Sequence, residues 1–316
     1  AAQLIDGTGG HQTWAERYDR ELEDIFEVQD DITSSIVGCV APELMILEAV
    51  RSRAKPIENL DVWDLYLRAL WYYYQGKSAE EHARARELLH SAIEIDSQNP
   101  LPHMLLARII LLGLVARWIR GSEFWREATH EAELAVRLDE GNAEAHGTLG
   151  VIYGYLGKHE ESISEGRRAV ELGPAIATCH RALGNALWHA NEHEEAATCL
   201  LRSLSLNPNS QINYTSQFNL AYLNYLMGRY ESALAWANRA VLSNPNFAQV
   251  HGVRTATLAQ LGREEEASAA LRDFKRHYPD RTISRLRRWR PGRWCMKRCG
   301  SIGRREAGGR PERNAA

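Results

Sequence analysis

Few residues in this chain have types and spacing that could do chemistry. His189 and His193 lie four apart with Glu192, Glu194 and Glu195 close by, and two imidazoles four apart on one helix can share a metal. That geometry needs a single helix, whereas Asn191 between them marks a chain reversal, so the rings are expected to diverge as surface histidines. No His-Glu-x-x-His occurs. Cys295 and Cys299 form a C-x3-C without a second ligand pair and read as two free thiols. Gly7–Gly10 lacks the Lys-Ser/Thr that would complete a phosphate cradle, which leaves a hairpin loop. Cys179 and His180 are neighbours in sequence, which puts the thiol and its would-be base on different helix faces. Acidic clusters such as Glu21–Asp31 and Glu192–Glu195 read as solvated helix faces. The expectation is a chain with no catalytic residue, no metal site and no cofactor.

Binding chemistry fares better. Thr178, Arg181, Asn185 and Trp188 are spaced three, four and three and share one helical face. The same offsets 37 residues on give Thr215, Phe218, Tyr222 and Tyr225. Trp, Tyr and Arg dominate the energetics of protein interfaces, so Arg181, Asn185, Trp188, Phe218, Tyr222 and Tyr225 form the candidate partner-binding patch. Corresponding positions on either side are small (Gly147, Val151, Gly154; Gly252, Ala256, Ala259), which centres the patch on 181–225. The alternative is that these rings pack between neighbouring helices, as aromatic stripes at helical spacing commonly do. Both readings stay open at this level.

The elements that would carry this face repeat. Pro174, Pro208, Pro245 and Pro279 are spaced 34, 37 and 34. Ahead of each lie a turn residue (Gly157, Asn191, Gly228, Gly262) and, five later, a small one (Ser162, Ala196, Ala233, Ala267). Leu149-Gly150, Leu183-Gly184 and Leu220-Ala221 recur earlier in the unit. Two antiparallel helices explain the pattern: small residues let them approach, and Gly or Asn takes the left-handed conformation that reverses the chain. Proline then opens the next unit, where its absent N–H costs nothing.

A 34-residue unit of this kind resembles the tetratricopeptide repeat. Units at 143–176, 177–210, 214–247 and 248–281 match well, and 61–99 and 101–140 are degenerate versions, so 59–142 reads as two helix pairs before the four repeats of 143–281. The resemblance implies an all-α fold, an α-solenoid whose first helices line a concave groove for an extended peptide.

Residues 1–58 read differently. Ala2–Ile5 and Gln12–Tyr18 are short strand-like runs around Asp6-Gly7-Thr8-Gly9-Gly10, a hairpin. Ile25, Phe26, Val28, Ile32, Ile36, Val37 and Val40 predict an amphipathic helix that Pro42 divides. The run Ala2-Gln3-Leu4-Ile5-Asp6, Thr8-Gly9, Trp14 to Arg20, Leu22 to Phe26 and Gln29-Asp30-Asp31-Ile32 is similar to the end of the TolB-like α/β domain that precedes such repeats in bacterial signalling proteins. The chain thereby resembles the carboxy-terminal half of class III adenylate/guanylate cyclases with this extension, which winged-helix regulators and some kinases share. That resemblance implies a cytoplasmic regulatory module whose partner is a protein or peptide, including the effector domain that such proteins carry on the amino-terminal side. No catalytic residue of a cyclase has a counterpart here. Ala at position 1 predicts a piece of a longer chain.

Composition narrows the remainder. Hydrophobic residues make up 44% and charged ones 25%, ordinary globular values. The longest apolar run, Ile109–Leu114, falls far short of the ~20 residues of a membrane span. Residues 281–316 hold eleven arginines and Lys297 against two acids, a net +10, which leaves −13 for the first 280 residues. The tail, 282–316, is rich in Gly and Arg without periodicity and is expected to be disordered, and its charge alone does not predict a nucleic-acid partner.

Overall fold

The computed structural model describes residues 2–5, 12–16, 44–53, 55, 60–75 and 78–277. The expected helix at 25–40, Gly7–Gly10 and the basic tail lie outside the described residues. Strand β1 (Ala2–Ile5) pairs antiparallel with β2 (Gln12–Glu16), Leu4 opposite Trp14, with an irregularity between Leu4 and Ile5. Residues 44–53 are helical. Twelve further helices follow: α1 (Val62–Gln75), α2 (Ala79–Ile95), α3 (Pro100–Ala116), α4 (Ser122–Leu138), α5 (Ala143–Leu156), α6 (His159–Leu172), α7 (Ala177–His189), α8 (His193–Leu206), α9 (Asn213–Leu226), α10 (Tyr230–Ser243), α11 (Ala248–Gln260) and α12 (Glu264–His277). They pair as six hairpins, each packed on the next, so the all-α solenoid expected from the repeats is what the chain forms.

The turns show why. Within each of the last five hairpins one residue sits in the left-handed region: Arg117 (φ 66°), Gly157 (81°), Asn191 (68°), Gly228 (74°) and Gly262 (71°). The following N–H reaches back to a carbonyl of the last helical turn: Trp118 to Gly113 at 2.9 Å, Lys158 to Tyr153 at 3.0 Å, Glu192 to Leu187 at 2.9 Å, Arg229 to Asn224 at 2.8 Å and Arg263 to Leu258 at 3.0 Å. These bonds satisfy carbonyls that a helix end leaves bare. The Gly and Asn turns were legible in the sequence. Arg117 does the same job with a side chain that the conformation disfavours, and no composition rule points to it.

Close approach inside each hairpin rests on missing side chains. A Cβ on Gly150 would stand 3.0 Å from the Ser162 carbonyl oxygen, and one on Gly184 would stand 2.8 Å from Leu200 Cγ. Facing them, Ser162, Ala196 and Ala233 are fully buried. Larger side chains fill the gaps between hairpins in two main cores. Leu67, Leu89, Leu105, Leu106, Ile109, Ile110 and Ile152 build the first, and Leu187, Leu200, Leu220, Leu223 and Val250 the second.

One contact spans the solenoid. Gln249 Nε2, at the start of α11, donates to the Val115 carbonyl near the end of α3 at 3.0 Å, across 134 residues of sequence. Among the described residues, no helix is long and apolar enough to cross a membrane.

Candidate interaction groove

The first helix of each of the last five hairpins carries a side chain that ties it to the incoming loop. His103 Nε2 meets the Ser97 carbonyl at 3.1 Å, His146 that of Glu140 at 3.1 Å, His180 that of Pro174 at 2.8 Å and His251 that of Pro245 at 2.8 Å. Asn213 Nδ2 donates to Asn207 in the same way at 2.8 Å. In every case the partner lies six residues upstream. A carbonyl accepts only, so each Nε2 carries the proton. His103 and His146 also place Nδ1 against Glu131 (2.5 Å) and Glu165 (2.6 Å) of the second helix. Burial opposes a charge on His103, but the Glu131 carboxylate and the Ser97 carbonyl outweigh it and hold its pKa above the usual histidine range.

A charged cluster joins α3, α5 and α7. Arg108 Nη2 donates to Glu144 Oε1 at 3.0 Å and its Nε to Thr148 Oγ1 at 2.8 Å; Thr178 Oγ1 donates to the same Glu144 oxygen at 2.7 Å. Burial pushes the Glu144 carboxyl up, yet the Arg108 guanidinium, the Thr178 hydroxyl and the field of Arg181 together hold it below the ordinary carboxylate range. Burial also lifts the phenols of Tyr66 and Tyr74 in α1, which feel the Glu144 charge. Tyr214, at the start of α9, is pushed up to about 12 by burial and by Tyr73 of α1, against the pull of Arg181. The inner helices of distant hairpins thus converge on one polar zone.

The six candidate residues sit on α7 and α9 and are not alike. Trp188 is 7% exposed, packed edge-on against Tyr222 with centroids 5.7 Å apart and tilted over His189 at 4.7 Å. Phe218 meets Phe247 edge-on at 5.3 Å, and Tyr222 is 2% exposed. Asn185 is buried and accepts a hydrogen bond from Asn219 Nδ2 at 2.5 Å. These four pack between hairpins. Arg181 and Tyr225 are partly exposed. Tyr225 leans on Tyr222 at 6.4 Å and Tyr230 at 5.7 Å. Arg181 makes no hydrogen bond or ion pair among the described residues. Asn219, Arg108 and Glu144 belong to the same inner surface; only their interlocking in three dimensions reveals it.

The histidines at the α7–α8 turn part company. His189 is 8% exposed, its Nε2 without a partner, its ring edge-on to Tyr155 at 4.6 Å. Burial, aided by the charge of His159, pushes its pKa down to about 4. Asn191 turns the chain before His193 begins α8. Among the described residues, no group of three or more His, Cys, Asp or Glu could hold a metal. Burial pushes the Cys179 thiol up to about 12, the opposite of what a nucleophile needs. Cys295 and Cys299 lie outside the described residues.

Comparisons with known proteins agree with this architecture. Residues 148–211 and 181–251 match the tetratricopeptide repeat family. A protein named putative adenylate cyclase 3, from Rhizobium meliloti (strain 1021), is 33% identical over 162 residues. That likeness covers 51% of this chain but only 27% of the cyclase, so the chain spans about a quarter of its relative. The Cut9–Hcn1 hetero-tetramer of APC/C is similar in fold, with a TM-score of 0.60 at 14% identity over 85% of this chain and 49% of that one. PilW, titled a widely conserved type IV pilus biogenesis factor, gives 0.50 at 17% identity over 69% and 93%. Hairpins of matched length with left-handed turns at fixed places are thus those of a recognised unit: residues 148–251 match tetratricopeptide repeats, and the described helices stack as an α-solenoid.

Proposed function

We propose that this chain is a non-enzymatic protein-interaction module that acts within a bacterial, adenylate cyclase-like signalling protein as its carboxy-terminal regulatory part. What supports the interaction reading is the shared face of α7 and α9, where Trp188, Phe218, Tyr222 and Asn185 are buried while Arg181 and Tyr225 stay partly exposed. Tyr225, leaning on Tyr222 and Tyr230, has little side-chain entropy to lose on docking, which favours recognition of an extended segment. The signalling context is supported by the likeness to putative adenylate cyclase 3. The partner in this reading is a peptide or the effector domain of the same protein, met in the cytoplasm, and docking shifts that effector between states.

A photo-cross-linking amino acid in place of Tyr225, compared with the same group at Leu242, tests the docking. Leu242 is 84% exposed on α10, away from the groove. The expected result is an adduct with the purified cyclase catalytic domain from position 225 that Arg181→Ala weakens, and none from 242. Equal yields at both sites, or an adduct at 242 alone, overturn it. Cyclic AMP formed by the purified chain with ATP and magnesium would overturn the non-enzymatic reading.

A further inference from the structure

The two main apolar cores divide the solenoid into blocks. The first gathers side chains of α1 to α5, with Leu149 and Ile152 from α5; the second draws on α7 to α11, with Ile163 and Val170 of α6 packed against it. Their boundary thus runs through the third hairpin, and small side chains meet there. Ala143, Ala169 and Cys179 form a separate cluster. A Cβ on Gly147 would stand 3.1 Å from Ala182 Cβ, and one on Gly166 would stand 3.0 Å from Leu183 Cα. Helices that meet through such residues have few long side chains to interlock, which suits the small sliding by which packed helices shear.

A second connection joins the blocks, from the second hairpin to the sixth. The turn after α3 supplies donors for two of that helix's last carbonyls: Trp118 N–H to Gly113 at 2.9 Å and Arg117 N–H to Leu114 at 3.3 Å. The next carbonyl, that of Val115, takes its donor from the other block, Gln249 Nε2 of α11 at 3.0 Å. Both residues are only partly buried, so water can replace either group when they separate, and one neutral hydrogen bond shifts such an equilibrium by roughly fivefold. Arg117, two residues beyond Val115, holds a φ of 66°, a conformation that persists only where neighbours maintain it. The inner helices of the two blocks also approach each other: Tyr73 of α1 is near enough to raise the Tyr214 phenol of α9, on which Arg181 of α7 also acts.

We propose that the solenoid opens and closes as two blocks, with α5–α7 as the hinge and the Gln249–Val115 bond as the clasp, and that releasing the clasp moves α1 and α3 away from α9 and uncovers Arg181. The inference rests on docking at the α7–α9 face as proposed above and names what regulates entry to it. An occupant that docks more tightly on the uncovered face draws the population toward the released form.

The test needs no partner. Gln249→Ala removes the donor, Gln249→Glu sets an acceptor against an acceptor, and Gln260→Ala, exposed at the far end of α11, loses an amide away from the clasp. Hydrogen exchange of the full chain is expected to be about fivefold faster across residues 113–119 in both Gln249 variants, although Val115 lies 134 residues from the substituted position. Arginine-selective labelling by phenylglyoxal, read by mass spectrometry, is expected to rise by about the same factor at Arg181 and to stay unchanged at Arg239, which is exposed on α10. Gln260→Ala changes neither. Unchanged exchange at 113–119 overturns the clasp. Faster exchange there with unchanged labelling of Arg181 leaves a tie that guards nothing and overturns the regulation of entry. Faster exchange in every helix, α8 and α10 included, marks general destabilisation and overturns the hinge. Absence of a cross-link from position 225 would instead strike the docking reading, and these two readouts, taken without a partner, do not move with it.

Discussion

Asn219 donates its side-chain amide to the Asn185 oxygen at 2.5 Å, tying α9 to α7 between residues 34 apart in sequence, and both side chains are buried. Removing either partner strands the other amide away from water. Asn185→Ala and Asn219→Ala are each expected to cost about 1–3 kcal/mol in urea unfolding. Asn185→Leu with Asn219→Leu is expected to cost less than the two alanine changes summed, because no polar group is then left orphaned.

Stability toward acid is expected to depend on His189. Buried and neutral in the fold, it binds a proton only near pH 4, whereas the unfolded chain takes one near the ordinary 6.5. Its contribution is present above pH 6.5 and is lost as pH falls toward 4, an effect of roughly 3 kcal/mol. His103 has the opposite sign: its raised pKa gives a contribution that is present below 6.5 and disappears as pH climbs through the higher folded value. Urea midpoints over this range should lose the acid-side slope in His189→Leu and the opposing slope in His103→Gln.

At Asn191, the left-handed backbone decides which substitutions are tolerated. Asn191→Gly is expected to be neutral within a few tenths of a kcal/mol, and Asn191→Val to lose about 1–2 kcal/mol, since a branched side chain clashes in that conformation. Thermal melts compare the two directly.

For the Arg108–Glu144 pair, Glu144→Gln keeps an acceptor but leaves a largely buried guanidinium uncompensated. Glu144 itself is about one-third open to solvent (35%), which moderates the loss to about 1–3 kcal/mol. Arg108→Met with Glu144→Leu is expected to recover part of it, read again from urea midpoints.

Gly150, Gly184 and Ala221 announced the architecture because a close helix crossing admits few side chains, and a crossing repeated along the chain prints its requirement at intervals. The loop ties of His103, His146, His180 and His251 stayed hidden. Their spacings of 43, 34 and 71 blur under insertions, and Asn213 does the same work with a different side chain. The candidate face was legible as a face, because helical spacing fixes which residues point together. How deeply Trp188, Phe218 and Tyr222 sink was not, since that depends on how tightly α7 and α9 approach. Arg117 was illegible for a plainer reason: a bulky residue at positive φ obeys no local preference and is held there by its surroundings.

The bond from Gln249 to Val115 changes what kind of object the solenoid is. A stack in which each unit touches only its neighbours frays from its ends, one unit at a time. Here a hydrogen bond also joins the second and sixth hairpins, a tie worth about 1 kcal/mol beyond the contacts between neighbours. Fraying of the last hairpin therefore breaks a contact with α3 as well as those with its neighbour, and the carboxy-terminal end of the stack is fastened at two places instead of one.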